Sequence, residues 1–176
     1  GGAVHGAHGT VLQIRFLFVN CIFEGCAANA QATLYLRGRL VEIDSCVFAN
    51  NTDATSRLAQ FEGSKESIKN CVFWGNNGSS LIGSPALYNC CVEGGSTNNG
   101  CITNNPGWRA NSFYLTADSA CITNGVATKY NRFDINGDAR PVGLVPDIGV
   151  DEWFDNDGDD LPDWWETRCN LNVSAA

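Results

Sequence analysis

The sequence predicts an all-β fold, a chain wound as a parallel β-helix (a β-solenoid), and three observations carry that expectation. Four segments align without gaps: FVNCIFEGC (18–26), IDSCVFANN (43–51), IKNCVFWGN (68–76) and LYNCCVEGG (87–95). Their first cysteines, Cys21, Cys46, Cys71 and Cys90, are separated by 25, 25 and 19 residues, a spacing in the range of solenoid repeats. Gly is abundant, Met is absent, and β-branched and aromatic residues come in short runs, which suits short strands joined by many turns better than long helices.

Within the repeats each column has an expected task. Alternation along a strand sends Cys and the residue two later (Phe23, Phe48, Phe73, Val92) to one face, and winding stacks equivalent positions about 4.8 Å apart, so each coil adds one aromatic and one thiol to an inner pile. Asn20, Ser45, Asn70 and Asn89 precede the cysteines and read as a turn ladder whose amides bond from coil to coil. Gly25, Asn50, Gly75 and Gly94, four residues after each Cys, release the chain into the next corner. The coils are expected over 1–103, a closing module over 104–153, and a loop with a short helix over 154–176.

Charge is distributed unevenly. Of 19 acids, nine lie between Asp147 and Glu166 with no Lys or Arg among them, although the net charge is only -8. Such a cluster repels itself unless a cation neutralises it. No basic stripe exists to neutralise phosphates, so nucleic acid is not an expected partner. No apolar run is long enough for a transmembrane segment, and the opening GGAVHGAHGT lacks the pattern of a signal peptide, which suggests a processed chain or a fragment.

The acidic stretch DNDGDDLPDWWE (155–166) has the spacing of a calcium loop. An EF-hand takes oxygens from positions 1, 3, 5, 7 through its backbone, 9 and 12. Counting from Asp155 gives Asp155, Asp157, Asp159, the Leu161 carbonyl, Asp163 and Glu166. Position 6 is Asp160 where Gly is usual, with Gly158 two places earlier. All-oxygen ligands argue against zinc, and this many carboxylates would strip magnesium of waters it keeps, so Ca2+ is the expected cofactor. Pro162 suits a first helical turn for the residues that follow. Trp153, Phe154, Trp164 and Trp165 could cover the open end of the coils or dock a neighbouring module.

Other residues admit two readings each. Asp134, Asn136 and Asp138 around Gly137 fit a second metal site or a tight turn. His5 and His8 fit half of a metal site or exposed coil positions. Trp74 and Trp108 could stack on sugars or pack against a corner. Of nine cysteines, the four periodic ones read as buried free thiols, while Cys26, Cys91, Cys101, Cys121 and Cys169 are the disulfide candidates, with pairing left open.

The xNCxFxxN phrase and the GGAVHG opening resemble the right-handed parallel β-helix repeats of bacterial cell-surface proteins and of the pectate-lyase-like superfamily. NNPGWRANSFYLTADSACITNG (104–125), RFDINGDARP (132–141) and PDIGVDEW (146–153) resemble the closing module of choice-of-anchor Q proteins, with Ala120-Cys121 where Pro-Ala is usual and Val150 where a small residue is usual. The C-terminal phrase is similar to dockerin and thrombospondin type 3 calcium repeats. These resemblances imply a secreted, surface or matrix location.

No constellation of facing carboxylates stands out in the coils: Glu24 and Glu93 share a column but are three coils apart. The expected function is therefore a non-catalytic structural or adhesive module, with carbohydrate binding or polysaccharide cleavage as the alternative. Expected partners are copies of the chain stacked end to end into a filament, neighbouring modules, or surface glycans.

Overall fold

A computed structural model describes residues 4–6, 15–28, 34–37, 39–53, 57–62, 65–77, 80–82, 85–95 and 97–174. The first repeat carries β1 (Val4–Gly6), β2 (Arg15–Val19), β3 (Ile22–Glu24) and β4 (Ala27–Ala28). The second carries β5 (Leu34–Arg37), β6 (Leu40–Asp44), β7 (Val47–Ala49) and β8 (Thr52–Asp53). The third has β9 (Arg57–Glu62), β10 (Lys65–Lys69) and β11 (Val72–Trp74), and the fourth β12 (Ser80–Ile82), β13 (Leu87–Tyr88) and β14 (Cys91–Val92). Among the described residues there is one α-helix, α1 (Asp163–Cys169), near the C-terminus. Among the described residues no helix is long and apolar enough to cross a membrane.

Three sheets take one strand from each of the four repeats, and a fourth pairs a strand of the first repeat with one of the second. The orders are β1-β5-β9-β12, β2-β6-β10-β13, β3-β7-β11-β14 and β4-β8, and all pairings between these strands are parallel. Register follows the aligned sequence: Ile22 pairs with Val47, Val47 with Val72, and Val72 with Cys91. Period-2 alternation then places the residues on either side of this column in the inner core. That core contains Phe23, Phe48 and Phe73 with Cys46, Cys71 and Cys90, and Cys21 packs against it. Phe48 lies between the rings of Phe23 and Phe73, at centroid distances of 4.7 and 4.9 Å and 7° from parallel with each.

A left-handed corner explains the column before each cysteine. Asn20, Ser45, Asn70 and Asn89 all have φ between 49 and 52°, a region that Asn tolerates better than most residues. A second such corner falls at Gly25, Asn50, Gly75 and Gly94, with φ from 54 to 66°. At Gly75 an added Cβ would lie 2.5 Å from Asn50 Oδ1, the tip of an exposed side chain that can swing aside, so the left-handed dihedral is what favours glycine there.

The asparagine ladder differs from the expected one. Side chains that bond from repeat to repeat lie five residues after the cysteines: Asn51 accepts from Cys26 N–H at 3.0 Å, and Asn76 accepts from both Asn51 N–H and Asn51 Nδ2 at 3.0 Å. Asn51 and Asn76 in turn donate to the carbonyls of Phe23 and Phe48. Among the described residues the corner side chain that bonds to a neighbouring repeat is Asn70, at Asp44 Oδ1. The amides of Asn20, Asn70 and Asn89 also bond outward, to residues after the repeats.

A further rung escaped the alignment because it follows after only 11 residues. The bond from Val47 N–H to Cys21 O recurs as Val72 to Cys46, Cys91 to Cys71, and Ile102 to Cys90, at 2.8 to 2.9 Å each. Gly100-Cys101-Ile102 is thus the next corner, thiol and outer residue, with Gly100 at φ 76°. Cys26, Cys91, Cys101, Cys121 and Cys169, read from sequence as the disulfide candidates, are all free thiols, and Cys101 is buried in the inner column.

Candidate functional site

Residues 104–153 pack along the flank of the repeats. The outer column Val47, Val72 and Cys91 forms a second apolar cluster with Ala49, Leu115, Cys121, Ile148 and Val150, so β7, β11 and β14 are buried on both faces. Trp74 and Trp108 pack against this cluster. The outward-turned corner side chains hold a strap that runs back along the repeats. Asn89 donates to Asn124 O at 3.0 Å, Asn70 to Val126 O at 2.9 Å, and Asn20 to Phe133 O at 2.7 Å. Thr128 donates to Asp44 and the Tyr130 hydroxyl to Glu42. Asparagine therefore supplies both the left-handed turn and the amide that grips the strap.

A buried network of carboxylates ties the end of this segment together. Arg140, 5 % exposed, pairs through Nε with Glu152 Oε2 at 3.0 Å and donates from its terminal nitrogens to the carbonyls of Gly149 and Asp151. Glu152 also accepts the N–H groups of Val142 and Asp147. Asp147 receives Thr123 N–H and Trp153 N–H at 2.7 Å each. Burial pushes Asp147 and Asp151 up to about 7, the nearby Glu152 charge adding to the effect at Asp147, and burial also raises Glu152. One guanidinium thus serves several buried carboxylates, a cost that backbone donors reduce.

The three residues 134, 136 and 138 form a hydrogen-bonded turn. Asp134 Oδ1 accepts the N–H groups of Asn136 (2.8 Å) and Asp138 (2.9 Å), and its Oδ2 accepts Glu152 N–H at 3.2 Å. The Tyr114 hydroxyl donates to Asn136 Oδ1. Asp138 Oδ2 is buried without a partner, and burial followed by the Asp134 charge raises its carboxyl. His8 lies outside the described residues, and only the backbone of His5 is described.

In the C-terminal segment the acids fold the loop around themselves. Asp155 accepts Gly158 N–H at 2.7 Å and Asp160 N–H at 2.9 Å, Asp159 accepts Leu161 N–H at 2.8 Å, and Asp163 accepts Asn156 N–H at 2.8 Å. Asp160, at the position where an EF-hand has glycine, itself takes φ 67°, and Gly158 takes 77°. The turn is made by two left-handed residues instead of one. Carboxylate oxygens of Asp155, Asp157 and Asp159 lie within 4.8 Å of one another.

Glu166, on α1, and Asp163 are not in that group of mutually close oxygens. Glu166 is 2 % exposed, and burial with the charges of Asp157, Asp159, Asp163 and Asp155 raises its carboxyl above the usual range. Glu166 Oε2 and both oxygens of Asp157 are buried without a hydrogen-bond partner. Unpaired buried carboxylate oxygens are costly, and a hard divalent cation is the group that satisfies several at once. The side chain of Trp164 lies outside the described ones. Trp153 packs against the flank cluster with the Arg109 guanidinium 5.5 Å above its ring.

Comparison with protein-family models, with curated proteins and with solved structures finds no match to this chain.

Proposed function

We propose that the protein is a non-catalytic structural or adhesive module that works outside the cell. In this reading the parallel sheets are the wall of a right-handed parallel β-helix, residues 104–153 brace its flank, and residues 154–174 fold around Ca2+. The register of successive repeats and the continuous pile of Phe and Cys side chains support the wound architecture. The observation that carries the calcium reading is the cluster of the Asp155, Asp157 and Asp159 carboxylates, in which both Asp157 oxygens are buried without a partner, with a third such oxygen on Glu166 of α1. Asp163 and the Leu161 carbonyl complete the proposed ligand set. Metal affinity would then add directly to the folding free energy of this segment.

Terbium, a luminescent stand-in for calcium, tests the site through energy transfer from nearby tryptophan. Saturable luminescence, displaced by calcium and lost in Asp157→Asn, is the expected outcome. Non-saturating luminescence that Asp157→Asn leaves unchanged would remove the site.

One observation favours a second reading, glycan binding. A cleft of about 280 Å³ opens on the outer side of β6 and β10, lined by Glu42, Ser67, Lys69, Thr128, Lys129 and Tyr130. Its acids are engaged: Glu42 by Arg15 and Tyr130, Asp44 by Ser45, Asn70 and Thr128. Retention on a glycan array, abolished by Tyr130→Ala, would favour this reading over a purely structural one.

A further inference from the structure

We propose that a cavity at the fourth repeat is a binding site for a small one-ring aromatic amine, whose ring would continue the pile of Phe23, Phe48 and Phe73. The cavity measures about 230 Å³ and is lined by Leu58, Phe73, Asn76, Leu81, Val92 and Glu93. Engineered apolar cavities of about 150 Å³ take up benzene, so one ring with a short substituent fits the space. The site shares no residue with the acidic loop or with the cleft beside Tyr130.

Two departures from the repeat open this cavity. The first is in the aromatic column. Val92 pairs with Phe73 in parallel register, and the Cys91–Ile102 bridge sets Thr103 at the same column of the next rung, so neither rung after Phe73 supplies a ring. Phe48, with a ring on each side, is fully buried, whereas Phe73 retains 5 % exposure. The second departure is in the sheet of β9 and β12. There Ser80 pairs with Arg57 but Leu81 pairs with Ala59, a register shift that leaves Leu58 with no residue opposite it on β12. The extra residue of a bulge is unpaired in this way. Leu58 belongs to the same core as Phe73, so both shortfalls fall on one space.

The walls decide the chemistry of the occupant. Rings in this column stack 4.7 to 4.9 Å apart and 7° from parallel, which gives an entering ring a ready position against Phe73. Leu58, Leu81 and Val92 supply the remaining apolar wall. Asn76 is held in place, donating to Phe48 O and accepting from Asn51. Glu93 is the charged residue of the lining; it is exposed, and its Oε2 accepts Gly75 N–H at 2.7 Å, which fixes the carboxylate at the rim. An anionic substituent would be repelled there, whereas an ammonium on a short arm meets an opposite charge while its ring is buried.

The test is to titrate benzylamine into the full chain labelled with carbon-13 at Leu and Val methyl groups. The expected result is a saturable ring-current shift of the Leu58, Leu81 and Val92 methyl resonances, with Val47 and Val72 of the outer column unmoved. n-Butylamine, which carries the charge without the ring, should give no saturable shift. Glu93→Gln, which keeps an oxygen for Gly75 N–H, should weaken benzylamine on the order of threefold, the size of an exposed ion pair. Val92→Phe places the protein's own ring in the column, and should abolish the Leu58 and Leu81 shifts and raise the urea midpoint. No saturable shift in the wild-type chain, equal shifts with n-butylamine, an affinity indifferent to Glu93→Gln, or shifts that survive in Val92→Phe would each overturn the proposal. The wild-type titrations decide it even where a variant fails to fold.

Discussion

Replacing Phe48 by alanine removes the middle ring of the three-ring pile. Phe48 is fully buried, with a near-parallel ring on each side at 4.7 and 4.9 Å. Truncating a buried Phe to Ala costs about 3–5 kcal/mol, part of it from the cavity left behind, and a stacked aromatic pair is worth about 0.5–1.5 kcal/mol beyond its buried area. Because Phe48 loses two such neighbours and lies among strands that cannot collapse inward, the upper end applies, about 5 kcal/mol. Phe23 is 8 % exposed and has one stacked neighbour, with Phe18 meeting it edge-on, so Phe23→Ala should cost less, about 3 kcal/mol. Urea unfolding followed by far-ultraviolet circular dichroism measures both. A domain of ordinary stability has about 5–15 kcal/mol in hand, so Phe48→Ala should sit near the edge of unfolding in buffer. A cost below about 2 kcal/mol, or a Phe23→Ala variant at least as unstable, would refute the view that the rings form one continuous pile.

Two further outcomes follow from the buried charges. Removing the guanidinium in Arg140→Ala leaves Glu152 buried without its counter-charge, and should cost about 3–5 kcal/mol, read as a lowered urea midpoint. Asp147 and Asp151 have folded values near 7, above the unfolded value, so the fold favours their protonated forms. Their contribution is fully present below the unfolded value and is lost as pH rises through about 7. The thermal midpoint should therefore rise on going from about pH 8 to about pH 6. Asp151→Asn, which keeps an oxygen for Leu115 N–H, should flatten part of that slope, and an unchanged slope would show that Asp151 does not titrate there.

The repeats were legible because each column answers to one local requirement. Phe at the residue two after Cys fills the core, and Asn or Ser before it accepts φ near 50°, so the register of β3, β7, β11 and β14 could be read from aligned letters. Cys101 was not legible: its rung follows after 11 residues and lacks both Asn and Phe, and only the thiol and the glycine before it remained as a signal. The placement of residues 104–153 on the flank was hidden for a different reason. Ile22, Val47, Val72 and Cys91 form an apolar column on the outer face, which is a sign of a covered wall, but what covers it lies far away in the chain. Arg140 with Glu152 was equally invisible, since long-range ion pairs leave no spacing in sequence. The acidic loop stood between these cases. The clustering of Asp155, Asp157 and Asp159 could be expected from their spacing, whereas the turn at Gly158 and Asp160 depends on backbone geometry that composition does not state.

Residue-resolved hydrogen exchange, with calcium and after chelation, tests the account most directly. The rung amides of Val47, Val72, Cys91 and Ile102 should be protected in both conditions, while the amides of Asn156, Gly158, Asp160 and Leu161 should be protected only with calcium. Rung amides that exchange freely, or loop amides indifferent to calcium, would contradict a stacked chain with an ion-held tip.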